Sequence, residues 1–432
     1  MLRNAAWNNG PMLTNYLEQG GPDKVVGGCE RSSSRHQSWH IISPEYPPQL
    51  GGVGDYVYLL AQALADQGDE VHVWCSGPDR PRQSFPGVEV HPVLAGLAAA
   101  DLFRLGRALS RFPGPRRVLL QWVPHAFGWR SMNLPFCGWI WMRARLAGDD
   151  LGIMVHEPFL AFWEGTWRQN AAAMVHRVMT VLLLHAAQRV WVSTPRWEKA
   201  WKPYALGRRV PFKWLPLPSN VPVVSDPAAV RALRARYAPA GELILGHFGT
   251  FGHPITPMLE SIIPRLFASS ERIVMLFIGP KGAEFRERLV RRHPELGGLI
   301  HATGSIPATD PRLSAHLTAC DLMIQPYPDG ASSRRTSLLA PLAHGVPIVT
   351  TSGPSTESLW QESEAVALLP AQDLEAFAAR ARCLLADQSA RQRASQAARA
   401  LYDNYFAIQR IAEALRSAYQ DAAEQSPAQA VV

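Results

Sequence analysis

Three glycines within Gly51-Gly52-Val53-Gly54 separate the apolar run Trp39-His40-Ile41-Ile42-Ser43 from an amphipathic stretch, Val53–Gln67. Such a cluster costs backbone entropy on folding. A strand, a tight glycine turn and a helix start would aim main-chain N–H groups and a partial positive charge at a phosphate or a sugar hydroxyl. Gly52 and Gly54 are the candidates for close approach, an ordinary tight turn being the alternative. The pattern is not the spaced G-x-G-x-x-G dinucleotide fingerprint. A second pair, His156-Glu157, follows the strand-like run Gly152–Val155. Histidine at that place can hydrogen-bond a sugar hydroxyl or the charge developing at a reacting carbon, or it can cap the strand end. Glu157 can orient His156 or bind hydroxyls of a second substrate. The third constellation is Asp-Gly-Ala-Ser-Ser-Arg-Arg, Asp329–Arg335, leading into an apolar stretch that ends at His344-Gly345. Ser332 or Ser333 is expected to cap a helix running to His344, with Gly345 as its stop. Free N–H groups there, with Arg334 and Arg335, match the charge of a diphosphate. Cations at a helix start oppose its dipole, which favours a ligand over a merely solvated first turn.

These residues need a frame to hold them. Strand-like runs are expected at His40–Ser43, Glu70–Cys75, Val88–Val93, Val118–Val123, Ile153–Val155, Arg189–Ser193 and Lys213–Pro216, and again at Leu243–Gly249, Ile273–Ile278, Leu299–Ala302, Leu322–Gln325, Pro347–Thr351 and Val366–Leu369. Helical patterns alternate with them, so each half reads as an α/β doubly wound domain with a parallel sheet covered on both faces. Two Rossmann-like domains facing a central cleft place ligands at the carboxyl ends of the strands. The expected boundaries are a poorly ordered appendage over 1–37, domains over 38–220 and 221–401, a helix over 402–425 that crosses back to the first domain, and a tail over 426–432. The hinge is the proline-rich Pro216–Ala229.

Composition narrows the class. The 432 residues exceed one ordinary core, and 47% hydrophobic with 18% charged content describes a globular chain. A net charge of +7 favours an anionic ligand or membrane surface, and no basic block interleaved with aromatics points to nucleic acid. Five scattered cysteines without a C-x-x-C pair suit a reducing compartment. No signal-peptide core or membrane-spanning run is evident. The expected location is cytoplasmic, with the inner face of a membrane as an extension. The tryptophan- and arginine-rich stretch Phe127–Leu146 fits either core packing or an interfacial surface.

The stretch from Ser43 to Gly77 resembles the opening of retaining GT-B glycosyltransferases of family four. The similarity continues through Val155–Pro158, Phe248–Gly252, Leu276–Gly282 and Pro326–Ser358, covering roughly Trp39–Tyr405. The resemblance implies transfer of a sugar from a nucleoside-diphosphate sugar to a saccharide or lipid-linked acceptor, with retention. It implies an acceptor on the first domain, where Asp55, Tyr56 and Glu157 are candidates, and a nucleotide mainly on the second. His156 takes the place of a family histidine that contacts the donor sugar. The family's glutamate pair falls here on Ser332 and Ala340, so Asp329 stands in for the first acid and the second has no counterpart. Where the family often supplies an arginine and a lysine, Gly249 and Thr250 remain as phosphate contacts, with Lys281 after the next strand. Glu357 matches a position near the sugar or ribose, or caps the helix that follows. No cluster has metal-ligand spacing, so no metal and no cofactor beyond the sugar nucleotide are expected. Two other readings stay open: a catalytically silent GT-B protein that binds a sugar nucleotide or a partner glycosyltransferase, and a sugar-nucleotide epimerase.

Overall fold

Two all-parallel sheets carry the chain. The computed structural model describes residues 38–424, apart from residue 50 and segments 77–84, 95–96, 128–130, 163–164 and 269–271. The expected appendage and tail lie outside the described residues. The first sheet contains β1 (Trp39–Ser43), β2 (Val71–Cys75), β3 (Val88–His91), β4 (Arg117–Trp122), β5 (Asp150–Val155), β6 (Arg189–Val192) and β7 (Phe212–Trp214), in the order β3-β2-β1-β4-β5-β6-β7. The second contains β8 (Leu243–Phe248), β9 (Ile273–Ile278), β10 (Ile300–Ala302), β11 (Leu322–Gln325), β12 (Ile348–Ser352) and β13 (Val366–Pro370), in the order β10-β9-β8-β11-β12-β13. All thirteen expected strands are present. The inner strands are buried on both faces, as parallel strands under two helical layers require, while the edge strands β3, β7, β10 and β13 are partly exposed.

In each sheet the strand order reverses next to the first strand, between β1 and β4 and between β8 and β11. A doubly wound sheet opens its crevice at that reversal, beyond the strands' carboxyl ends. The glycine loop follows β1 and the Asp329–Arg335 loop follows β11, so both face such a crevice.

After the second sheet the chain returns to the first. The helix Ile408–Glu424 buries Ile411, Ala412, Leu415 and Tyr419 in one core cluster with Trp39, Val57, Leu60 and Trp191. Tyr419 meets Trp39 edge-on, with ring centroids 4.8 Å apart. The hinge is tied at two points. Asn220 Nδ2 donates to Asp55 Oδ2 at 3.1 Å, and Ser219 N donates to Tyr402 Oη at 3.1 Å. Among the described residues, no helix is long and apolar enough to cross a membrane.

Candidate active site

The glycine loop divides its work residue by residue. The helix Gly52–Asp66 begins one residue earlier than its pattern predicts, with Gly51 as an extended N-cap lacking any side-chain cap bond. A Cβ on Gly54 would lie 3.4 Å from the Tyr46 backbone, an ordinary van der Waals contact, so the helix start packs against the β1 loop without requiring glycine there. A Cβ on Gly52 would meet nothing within 4 Å. Gly52→Ala should therefore melt within a degree or two of the unaltered protein. If the Gly52 amide serves a ligand, the same methyl should lower sugar-nucleotide affinity or transfer rate about tenfold or more. Paired melting and transfer measurements separate a turn from a ligand cradle; a variant that binds and turns over normally makes it a turn.

His156 is only 6% exposed at the end of β5. Its Nε2 lies 2.8 Å from Gln121 Oε1, and the edge of Tyr56 packs 5.1 Å from its ring. Because the amide oxygen accepts, Nε2 carries the proton and Nδ1 keeps a lone pair. Burial first, then the nearby Arg334 charge, pushes its pKa down to about 3, so the ring is neutral. Tyr56 is itself a core residue, 3% exposed, with its hydroxyl buried and without a partner. Glu157 is half-exposed and pairs with His125 Nε2 at 3.2 Å.

The Asp329–Arg335 loop reaches these residues from the other sheet. Ser333 Oγ donates to Ser193 O at 3.2 Å, and the Arg334 guanidinium stands 5.1 Å from the Trp197 ring centroid. Trp197 Nε1 in turn donates to His156 O at 3.1 Å. Partial loss of hydration holds the Arg334 pKa below its usual value, while the Glu157 charge pulls it back up. The side chain stays exposed, so it remains a charged guanidinium open to an anion. Arg335 is differently placed. It pairs with Asp329 and lies over the Tyr327 ring at 4.1 Å, leaving Arg334 as the less engaged cation. Asp329 also accepts from Ser355 Oγ at 3.2 Å.

The loop's shape depends on a close backbone contact. Gly330 has φ +91°, and a Cβ there would lie 2.4 Å from Gly353 N. The loops after β11 and β12 thus touch through glycines, which brings Glu357 beneath the serines. Its carboxylate accepts from Ser332 Oγ at 3.1 Å, Ser333 Oγ at 2.8 Å, Ser333 N at 3.1 Å and Trp360 Nε1 at 2.8 Å.

Two expectations are corrected here. Neither Ser332 nor Ser333 caps a helix. The helix is shorter than expected, Thr336–Ala343, with Arg335 as its N-cap and no side-chain cap bond. The serines turn to Glu357 because a carboxylate is a stronger acceptor partner than an uncapped amide is a donor. Glu357, expected as an alternative to cap the helix after it, precedes Ser358–Glu362 without a side-chain cap bond.

Of the remaining candidates, Gly249 closes on β9 by donating to Ile278 O at 3.1 Å, while Thr250 and Lys281 are exposed after β8 and β9. Lys281 holds the left-handed conformation at φ +61° as N-cap of the helix Gly282–Arg292. Asp55 is engaged by Asn220 at the hinge. Thus His156, Glu157, Ser332, Ser333, Arg334, Arg335, Asp329 and Glu357 form one connected set; Thr250 and Lys281 make no hydrogen bond or ion pair to it among the described residues.

Sequence reasoning missed Gln121, His247 and Gln325. All three are fully or almost fully buried near the ends of β4, β8 and β11. His247 Nδ1 donates to Ile324 O at 2.8 Å, and burial lowers its pKa to about 4; its Nε2 and Gln325 Oε1 are buried without partners. The available signal was one polar residue closing an otherwise apolar strand, as in Val-Leu-Leu-Gln and Leu-Met-Ile-Gln.

This architecture is shared with solved glycosyltransferases. Sucrose-phosphate synthase from Thermosynechococcus elongatus superposes with a TM-score of 0.65 at 20% identity, covering 90% of this chain and 100% of that one. HepE from Anabaena, in complex with UDP and glucose, gives 0.60 at 15% identity over 89% and 100%. An α,α-trehalose-phosphate synthase (UDP-forming) from Burkholderia xenovorans, in complex with glucose-6-phosphate, gives 0.60 at 13% over 89% and 100%. At such identities the likeness establishes the fold alone. No curated protein matches the sequence. Family models match both halves, so the chain carries a Glycosyltransferase Family 4 domain over residues 50–210 and a Glycosyl transferases group 1 domain over residues 243–387, set on the GT-B fold.

Proposed function

We propose that the protein is a retaining glycosyltransferase that moves a sugar from a nucleoside-diphosphate sugar to a saccharide or lipid-linked acceptor, without a metal. The observation that carries this reading is the meeting of the Arg334 loop with His156 and Glu157 across the two domains. The sugar–phosphate bond breaks as the acceptor oxygen bonds to the anomeric carbon on the same face. The departing diphosphate keeps the electron pair, and one of its oxygens takes the acceptor proton. Arg334 and Arg335 stabilise the charge that develops on that diphosphate, while His156 Nδ1 accepts a hydrogen bond from a sugar hydroxyl. Asp329 acts through Arg335 rather than as a free base, because the two are paired. A soluble or lipid-linked saccharide enters from the side of Glu157, and the reaction takes place in the cytoplasm in the service of polysaccharide or glycoconjugate synthesis.

One observation favours a silent sugar-nucleotide binder instead. Ala340, at the position of the second family glutamate, is 0% exposed inside the core, and the carboxylate of Glu357 is taken up by the loop. A panel of nucleoside diphosphates and their sugars, read by melting temperature and by release of free diphosphate with and without saccharide acceptors, decides between them. Stabilisation with acceptor-dependent release supports the transferase; stabilisation without release supports the binder. Within the same panel, Arg334→Ala should weaken diphosphate binding about tenfold or more and leave the free nucleoside nearly unchanged. Arg335→Ala should weaken it too, with an added loss of loop order from unpairing Asp329. Equal losses for nucleoside and nucleotide would sink the phosphate assignment.

A further inference from the structure

On the first sheet, away from the cleft, lies a group of side chains that transfer chemistry does not use. Register places His40, His72 and Glu89 side by side on β1, β2 and β3, with Ile42, Trp74 and His91 in the row two residues on. Residues two apart on a strand share a face, so His72, Glu89 and His91 converge although their sequence spacing suggests nothing. His72 Nδ1 lies 3.1 Å from His91 Nε2 and 3.3 Å from Glu89 Oε2. One ligand atom from each residue falls within 4.8 Å of the other two. Two donors bound to a tetrahedral zinc ion at about 2.0–2.1 Å stand about 3.3 Å apart. The spacing already fits.

We propose that His72, His91 and Glu89 bind a single divalent cation of the zinc class, which clamps the edge strand β3 to β2. Two imidazoles and one carboxylate suit zinc better than magnesium or calcium, which take oxygen ligands. The rings are held in place: His91 stacks on Trp74 at 4.0 Å and His72 on His40 at 5.2 Å. Glu70 Oε1 lies 3.3 Å from His72 Nε2, an ion-pair distance without hydrogen-bond geometry. A carboxylate behind the far nitrogen favours the tautomer whose Nδ1 lone pair faces the metal. The cation enters from solvent, since the Glu89 side chain is 66% exposed and β3 is the sheet edge. The guanidiniums of Arg116 and Arg143, whose charges bear on neighbouring His40, are both paired with buried Asp149. Glu70 and Glu89 therefore set the local sign.

The test is a Zn2+ titration of the tag-free full chain against a chromophoric chelator, with melting temperature as a second readout. One equivalent should bind and raise the melting temperature. Glu89→Gln, at an exposed position that leaves the fold intact, should weaken binding at least tenfold, and His91→Ala more than about a hundredfold, beyond what an outer-shell partner contributes. His253→Ala, an exposed histidine on the other domain, should change nothing. Absence of binding at micromolar Zn2+ overturns the proposal. So does binding that survives Glu89→Gln undiminished; that variant decides the matter even if His91→Ala misfolds.

Discussion

His156→Ala should lower turnover about a hundredfold while changing affinity for the free nucleoside diphosphate by less than about threefold. The asymmetry follows from position. The ring sits beside Arg334 and bonds to Gln121 through Nε2, and the contact proposed for its Nδ1 is to the sugar rather than to the nucleotide. A lone pair held by a buried, oriented neighbour costs no reorganisation as charge develops, which is why its loss falls on kcat. Because burial pushes the His156 pKa down to about 3, the ring does not titrate near neutrality. Its contribution to turnover should then be flat between about pH 5 and 8, the range in which an unperturbed histidine would change charge. The linkage to stability has the opposite visibility. The folded pKa lies below the unfolded one, so the unfolded chain takes up a proton first and stability falls as pH drops from about 6.5 toward about 3. A folded His156→Ala variant with unaltered turnover would return the residue to a structural role.

The frame was legible because parallel strands buried on both faces write themselves as short continuous apolar runs, and all thirteen runs became strands. The glycine loop and His156-Glu157 were legible for a related reason: both lie where an apolar run stops, which in this architecture is the ligand side. Less was legible in the Asp329–Arg335 loop. Periodicity starts the helix at Ser333, but the structure starts it at Thr336. The serines have a tertiary partner, Glu357, that local sequence does not announce, since the contact depends on Gly330 and Gly353 meeting back to back. Domain-to-domain pairing was also invisible. That Ser333 reaches Ser193, or that Arg334 reaches Trp197, depends on how two sheets face each other. The histidines of β2 and β3 teach the same lesson within one sheet. Metal-ligand spacing is a pattern along the chain, whereas His72 and His91 are joined by strand register.

Glu357→Ala should lower the melting temperature and donor affinity together. The carboxylate is the shared acceptor for Ser332, Ser333 and the indole N–H of Trp360, and all three residues are buried. Removing it strands Ser332 Oγ, the Ser333 N–H and the Trp360 indole N–H, since of the four donors Ser333 Oγ alone has a second acceptor, Ser193 O. A hydrogen bond to a charged group contributes about 1.5–3 kcal/mol. Partial exposure of the carboxylate reduces that figure, so a loss near ~3 kcal/mol is expected for the set. For a domain of this size that corresponds to roughly 6–12 °C in melting temperature. The loop carrying Arg334 and Arg335 would loosen with it, and diphosphate affinity would fall although neither arginine was changed. A glutamate that instead grips a ribose, as the family resemblance suggests, predicts a different pair of results. Alanine there would lower affinity for nucleoside and nucleotide alike and leave the ligand-free melting temperature in place. Glu357→Gln sharpens the contrast, because the amide keeps one acceptor for Ser333 but loses the charge that draws in the other donors. Loop anchoring predicts a smaller fall in both readouts for glutamine than for alanine. An unchanged melting temperature in both variants would end the anchoring role and hand the residue to the ligand.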